Sequence, residues 1–150
     1  MKKYFLYICV LFLSSCSTKV TSYAREYVEY ISDDRDAIIL RSSAYGKNIE
    51  EATSNAELAA VKTLLFRGIP NSNSSRGMLA GVNEQDIQRT HSQYFNELFN
   101  NKRYRSFIVS STPITLYDKK NNNITINIKV NTRALRLDLE QSNIIRKFGF

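Results

Sequence analysis

The clearest alternation of apolar and polar residues lies near the C-terminal part of the chain. Every second residue there is aliphatic and the residues between are polar, the aliphatic ones being Ile124, Ile126, Ile128 and Val130. This period is typical of a strand with one buried face. Residues 103–117 are also rich in strand formers, and the polar residues 118–122 favour a turn. The sequence therefore predicts an antiparallel hairpin of 105–117 with 123–131, in which Pro113 indicates an edge position or a bulge.

Residues 48–67 have the spacing and the end signals of a helix. Asn48 is a suitable N-cap and Glu51 stands three residues later, as in a capping box. Gly68 can adopt the left-handed conformation that ends a helix, and Pro70 prevents continuation. The expected inner face is small and apolar, so the helix can approach a sheet closely: Ile49, Ala52, Ala56, Ala59, Ala60, Thr63 and Leu64.

A second helix is predicted over 83–99, with Asn83 as its cap. Apolar residues recur on one face at helical spacing, and they are bulky: Ile87, His91, Tyr94, Phe95, Leu98 and Phe99. His91 is the chain's single histidine. Because no ligand or nucleophile clusters with it in sequence, we expect a packed core histidine and no metal or catalytic role.

The flanking segments are less decisive. Residues 36–45 are rich in strand formers, whereas 16–35 has apolar spacings that fit both a helix and a strand and is interpreted as a tether. Asn131 or Thr132 can cap a last helix with Leu135 and Leu139 facing inward. Because Leu135, Leu137 and Leu139 also stand at every second position, a strand over 133–142 is the alternative. The apolar residues of 144–150 favour a tail that docks on the domain.

These elements predict one α+β domain over 36–150. We expect a small antiparallel sheet of three or more strands with two to three packed helices, in the order β-α-α-β-β-α. The length after residue 15, 135 residues, suits a single core and is too short for two.

The first sixteen residues, MKKYFLYICVLFLSSC, combine two lysines, an apolar run and a small-residue site ending in Cys16. They resemble a bacterial lipoprotein signal peptide. The resemblance implies that residues 1–15 are removed and that Cys16 carries diacylglycerol and an acylated amino group. An ordinary secretory signal or an N-terminal membrane helix is the alternative. The residues after Cys16, Ser17-Thr18-Lys19, lack the aspartate that resembles an inner-membrane retention signal and the acidic run that resembles a surface-export signal. The resemblance therefore implies a lipid-anchored protein on the periplasmic face of the outer membrane.

The charged residues and the cysteines limit which partners and which kinds of site the chain can have. The whole chain has a net charge of +7, and removal of Lys2 and Lys3 leaves 19 basic against 14 acidic residues. A moderate positive charge suits attraction to the membrane surface, and we expect no nucleic-acid partner. The two cysteines, Cys9 and Cys16, are in the signal and at the lipidation site, so no thiol pair remains for a disulfide or metal site. No catalytic motif is present, and we expect neither an enzyme nor a cofactor.

The candidate contact site is the long polar loop 69–82. Its apolar residues Met78, Leu79 and Val82 are predicted to meet a protein partner, flanked by the cationic Lys102, Arg103 and Arg105. The alternative is a flap folded back on the core. An apolar cavity beneath the loop would favour ligand binding, and an exposed apolar patch would favour a protein partner.

The chain also resembles a group of known proteins over about 36–150. The segments that carry the likeness are Ser43-Ala44-Tyr45-Gly46-Lys47, the alanine-rich helix from Glu51 to Val61, and Leu65-Phe66-Arg67-Gly68-Ile69-Pro70. They resemble small Bacteroides-type envelope lipoproteins of unassigned function and, more loosely, the FlgT N-terminal domain. The resemblance implies a non-catalytic binding or assembly subunit in secretion, transport or outer-membrane biogenesis. A free-standing ligand-binding or envelope-stress lipoprotein is the alternative, and an enzyme ranks third.

Overall fold

The computed structural model describes residues 26–147. Four strands form one antiparallel sheet in the order β1-β2-β4-β3. Their bounds are Tyr27–Asp33 for β1, Ala37–Tyr45 for β2, Ile108–Pro113 for β3 and Asn123–Asn131 for β4. The central pair is the longest, with register running from Ala37 opposite Asn131 to Tyr45 opposite Asn123.

The helical segments connect and cover these strands. α1 spans Ile49–Lys62 and continues as a π-helical turn, Thr63–Arg67. α2 spans Glu84–Thr90, α3 spans Ser92–Phe95, and a second π-helical turn spans Asn96–Asn100. A 3₁₀ turn at Arg103–Phe107 precedes β3, and α4 spans Thr132–Gln141. The α+β class is therefore confirmed, with one more strand at the start than the predicted order.

The core lies between α1 and the two central strands. The aliphatic residues of β4 and the alanines Ala52, Ala56 and Ala60 are fully buried. The Ser42 hydroxyl donates to the Ala56 carbonyl over 2.7 Å, which is possible because small side chains let the helix lie close to β2. Ile49, which was expected on this inner face, is instead exposed in the first helical turn.

The ends of α1 follow the predicted local chemistry. The Asn48 side chain accepts the Glu51 N–H over 2.8 Å, and the Glu51 carboxylate accepts the Lys47 N–H over 2.9 Å. Gly68 has φ +79°, the left-handed region that favours glycine. The predicted helix over 48–67 is confirmed.

The helix predicted over 83–99 is interrupted at His91, which has φ −114° and ψ 43°. Ile87 before the interruption and Phe95 after it are both buried. The predicted apolar face is therefore kept, although the helix is divided into two segments. His91 lies half-buried at this joint and is not a core histidine.

The flanking segments are resolved as follows. Residues 27–33, assigned to the tether from sequence, form the edge strand β1, with Val28 and Tyr30 packed against the core. Residues 132–141 form a helix, because the Asn131 side chain caps the Ala134 N–H and Leu135 and Leu139 are buried. Ile144 and Ile145 pack on the core. Phe148 to Phe150 and the proposed signal and anchor at 1–16 lie outside the described residues.

The predicted hairpin is confirmed with a shorter first strand. Residues 103–107 form the 3₁₀ turn, and pairing with β4 begins at Ile108 opposite Val130. β3 is an edge strand, as Pro113 indicated, and it contains a bulge between Ile108 and Ser110.

The pairing places two groups of loops at opposite ends of the sheet. Tyr27 at the start of β1, the end of β2, the start of β4 and the loop after Pro113 share one end, which we name the entry end. The β1–β2 turn and the start of α4 share the other, the far end. The loop 69–82 joins them there, since the Asn73 N–H donates to Asp33 over 2.8 Å. Among residues 26–147, no helix is long and apolar enough to cross a bilayer.

Candidate functional site

A polar groove of about 860 Å³ opens at the far end, and we name it the far-end groove. Three segments form its walls: the β1–β2 turn at 33–36, residues 73–78 of the loop, and the first turn of α4 at 132–136. These segments are distant in sequence, so the groove depends on the fold and not on a local motif.

The β1–β2 turn is shaped by Asp34. One carboxylate oxygen accepts the backbone N–H groups of Asp36 and Ala37 over 3.0 and 2.8 Å, and the other lies 3.2 Å from Lys129 Nζ. The hydrogen bond from the Asp36 N–H lowers the pKa of the Asp34 carboxyl most, and the bond from Lys129 has the next largest effect. Asp34 is therefore an ionised structural residue of the turn, as is usual for Asx turns.

Asp33 connects this turn to the loop. Its carboxylate accepts the Tyr30 hydroxyl over 2.7 Å and the Asn73 N–H over 2.8 Å. Both hydrogen bonds lower the pKa of the Asp33 carboxyl, and the one from Tyr30 has the larger effect. The Tyr30–Asp33 hydrogen bond also raises the pKa of the Tyr30 hydroxyl. Two walls of the groove are thus joined by one carboxylate.

The loop itself is held against the end of α1. The N–H groups of Met78 and Leu79 donate to the carbonyls of Leu64 and Leu65 over 3.0 and 2.7 Å. These bonds satisfy carbonyls that the end of a helix leaves free. At Gly77 a Cβ atom would lie 2.6 Å from the carbonyl carbon of Phe66, so only glycine permits this approach.

The structure separates the three loop residues that were predicted to meet a partner. Leu79 is 2% exposed and belongs to the core, so its assignment to a contact surface is wrong. Met78 is half-buried, packs on the core and lines the far-end groove. Val82 is 50% exposed and is not among the groove residues. The apolar part of the loop therefore mainly folds back on the core. The same docking that buries Leu79 lets its N–H donate to the Leu65 carbonyl.

The predicted cationic flank lies elsewhere. Arg103 Nη1 is 2.7 Å from Asp138, and Arg105 Nε is 2.9 Å from Glu57, a residue near the middle of α1. Lys102 is exposed with φ +58°. The loop instead packs on the π-helical turn beyond α1, and none of residues 102–105 lines the far-end groove with it. Arg103 and Arg105, two of the three predicted cations, therefore already form ion pairs within the domain.

Two arginines in the groove were not selected from sequence. Arg35 is exposed on the β1–β2 turn and Arg76 on the loop, and within residues 26–147 neither guanidinium has a hydrogen-bond or ion-pair partner. The neighbouring carboxylates are engaged, since Asp36 lies 3.4 Å from Arg133. An arginine inside a polar inter-strand turn, DDRD, was the available sequence signal for Arg35. For Arg76 there was none without the fold.

Two backbone donors at the start of α4 are already paired within the domain. The Arg133 N–H donates to the Asp36 carbonyl over 3.2 Å, and the Ala134 N–H donates to the Asn131 side chain over 2.8 Å. Anionic groups in the groove would therefore be bound by arginine side chains. Arginine presents paired N–H donors that match a carboxylate or phosphate.

Comparison with known proteins provides no family assignment. No protein-family model matches the chain, and no curated protein or solved structure is significantly similar to it. In the described part of the chain, no three His, Cys, Asp or Glu side chains gather into a group able to hold a metal ion. Function must therefore be inferred from the geometry of the far-end groove.

Proposed function

We propose that this protein is a lipid-anchored, non-catalytic binding or assembly subunit of an envelope complex, held at the periplasmic face of the outer membrane through Cys16. The observation that carries the proposal is the pair of exposed, unpaired arginines, Arg35 and Arg76, that line the far-end groove from two different segments of the chain. The role is the one implied by the resemblance to small envelope lipoproteins. Secretion, transport and outer-membrane biogenesis are the processes it suits.

The occupant we propose is an acidic, extended segment of a protein partner. Asp33, Asp34 and Asp36 already bind groups of the domain, so they do not occupy the guanidinium groups of Arg35 or Arg76. The groove is open along its length and polar, which suits a chain segment that makes several hydrogen bonds. Complementary charge also speeds the encounter of two such surfaces.

A free-standing ligand-binding role has less support from the geometry. Leu79 fills the space beneath the loop, and the cavity beside it is polar, unlike the mostly apolar sites that enclose small molecules. The exposed apolar patch that would favour a partner at the loop is also reduced to Val82. Recognition by the groove is therefore proposed to be electrostatic.

Charge reversal tests the groove. In crosslinking and pull-down from native membranes, Arg35→Glu/Arg76→Glu should lower recovery of the partner at least tenfold, because each unpaired cation becomes a repulsive anion. Both side chains are exposed, so the thermal midpoint should stay nearly unchanged. Arg67→Glu/Arg146→Glu, two exposed arginines outside the groove, is the matched control. Equal recovery for the two double variants would exclude the groove as the contact site.

The anchor is tested separately. Cys16→Ala should move the protein out of the outer-membrane fraction, because two or more acyl chains are needed for stable attachment. The lipidation proposal is wrong if this variant still sediments with the outer membrane to the wild-type extent.

A further inference from the structure

A second surface lies at the entry end, in the segment between β3 and β4. Leu116 is 94% exposed, the highest value among the exposed large apolar side chains of the described residues, and Ile114 is 45% exposed. We name residues 114–122 the entry-end loop. Exposure of two aliphatic side chains in one short loop is the kind of feature that marks an interaction site.

The entry-end loop is held by its own bonds. The Tyr117 hydroxyl donates to the Gly46 carbonyl over 2.7 Å, and the N–H groups of Ile114 and Thr115 donate to the Thr125 carbonyl. The Asp118 side chain accepts the N–H groups of Lys120 and Asn121 over 2.8 and 3.2 Å. Leu116 therefore projects into solvent from a loop that is held by hydrogen bonds on both sides of it.

Cations accompany the apolar tip. Lys119 and Lys120 are exposed, and neither forms a salt bridge within the part of the chain that the structure describes. No charged residue occurs between Arg105 and Asp118. An apolar projection beside two exposed lysines matches the boundary of an anionic bilayer, where aliphatic groups leave water and lysines meet headgroup phosphates.

The position of the loop agrees with this occupant. The chain enters β1 at Tyr27, which lies at the same end of the sheet as the entry-end loop. Ten residues, 17–26, separate Cys16 from Tyr27, and they span at most about 36 Å when extended. An anchor at Cys16 would therefore hold the start of β1, and with it this end of the domain, within about 36 Å of the lipid surface.

We infer that the entry-end loop is a membrane contact, with Leu116 and Ile114 entering the interface and Lys119 and Lys120 binding anionic phospholipid headgroups. The proposed anchor at Cys16 is needed only to orient the domain on the membrane, and the lipid binding inferred for the entry-end loop does not depend on it. The loop is expected to bind anionic lipid without the anchor, weakly, and the acyl chains raise its effective concentration at the surface.

Vesicle flotation of the unlipidated protein tests this directly. The chain from residue 16 to residue 150 with Cys16→Ser contains every described element, and its partition coefficient is measured on vesicles of three parts phosphatidylethanolamine to one part phosphatidylglycerol. Leu116→Ser should lower the coefficient about tenfold. Lys119→Ala/Lys120→Ala should lower it about 20-fold on these vesicles and little on neutral phosphatidylcholine.

Leu137→Ser is the matched control, since Leu137 is a 45% exposed leucine on α4. It should stay within twofold of the parent protein, and thermal midpoints of all variants check folding. The inference is overturned if the parent protein does not bind the anionic vesicles, or if Leu116→Ser and Leu137→Ser behave alike. It is also overturned if Leu116→Ser lowers partner recovery and leaves vesicle binding unchanged. Because no acyl chain is present, none of these results depends on lipidation.

Discussion

Individual side chains fasten distant segments of this small domain. The Tyr94 hydroxyl donates to Asp138 over 2.6 Å, and Arg103 donates to the other oxygen of the same carboxylate over 2.7 Å. Burial raises the pKa of the Tyr94 hydroxyl, and its hydrogen bond to Asp138 has the next largest effect in the same direction. The hydroxyl therefore stays a donor at neutral pH. Sequence placed Tyr94 on an apolar face and Arg103 on the surface, because partners 35 to 44 positions away leave no local signal.

Removal of the shared carboxylate should destabilise the fold. Asp138→Ala leaves a half-buried guanidinium and a half-buried hydroxyl without their acceptor, which we expect to cost about 2 kcal/mol of unfolding free energy. Urea denaturation measures it. Asp86→Ala, which removes an exposed partner of Arg89, is the control and should cost about 0.5 kcal/mol. Equal losses in the two variants would show that the network contributes nothing beyond a surface pair.

The link between the β1–β2 turn and the loop should depend on pH. Because the pKa of Asp33 is lowered in the folded protein, its contribution is complete above the unfolded pKa of about 3.9 and is lost as pH falls through the folded value. The stability difference between wild type and Asp33→Asn should therefore be present at neutral pH and vanish in strong acid. Urea midpoints measured from neutral pH downward test this, with Asp86→Asn as reference. A difference that is constant with pH would contradict the assignment.

At the scale of elements, local signals left helix or strand open over 133–142 but predicted α1 and the β3–β4 hairpin. Their caps, turns and periods are contained within a few residues, as with Asn48 and Glu51. The break at His91 and the strand β1 were missed or left open because both depend on distant packing. Whether Tyr27–Asp33 forms a strand is decided by β2, which offers an edge for pairing. The same reason explains why the far-end groove, made by three segments, was not predicted.

The loop 69–82 provides an element-scale prediction. Leu79→Ala should cost about 2–4 kcal/mol of unfolding free energy, because it opens a cavity where the loop packs on the end of α1. Val82→Ala, at an exposed position of the same loop, should cost less than about 0.5 kcal/mol. Thermal or urea unfolding compares the two. Similar small losses would mean that the loop is not docked in solution.

For the whole molecule, the sheet separates two surfaces of different character. The entry end carries Leu116 and two lysines, and the far end carries Arg35 and Arg76 in an open groove. If the entry-end loop contacts lipid, the far-end groove at the opposite end of the sheet is turned away from the membrane. We therefore expect one end to contact the membrane and the other to contact a partner.

Site-specific photocrosslinking in intact envelopes examines both ends together. A photoreactive residue at Leu116 should form adducts with phospholipid, and one at Ser75, on an exposed wall of the far-end groove, should form a discrete protein adduct that Arg76→Glu abolishes. The same probe at Leu137 should form neither in comparable yield. Protein adducts from position 116 together with lipid adducts from position 75 would contradict the proposed orientation and the roles assigned to the two ends.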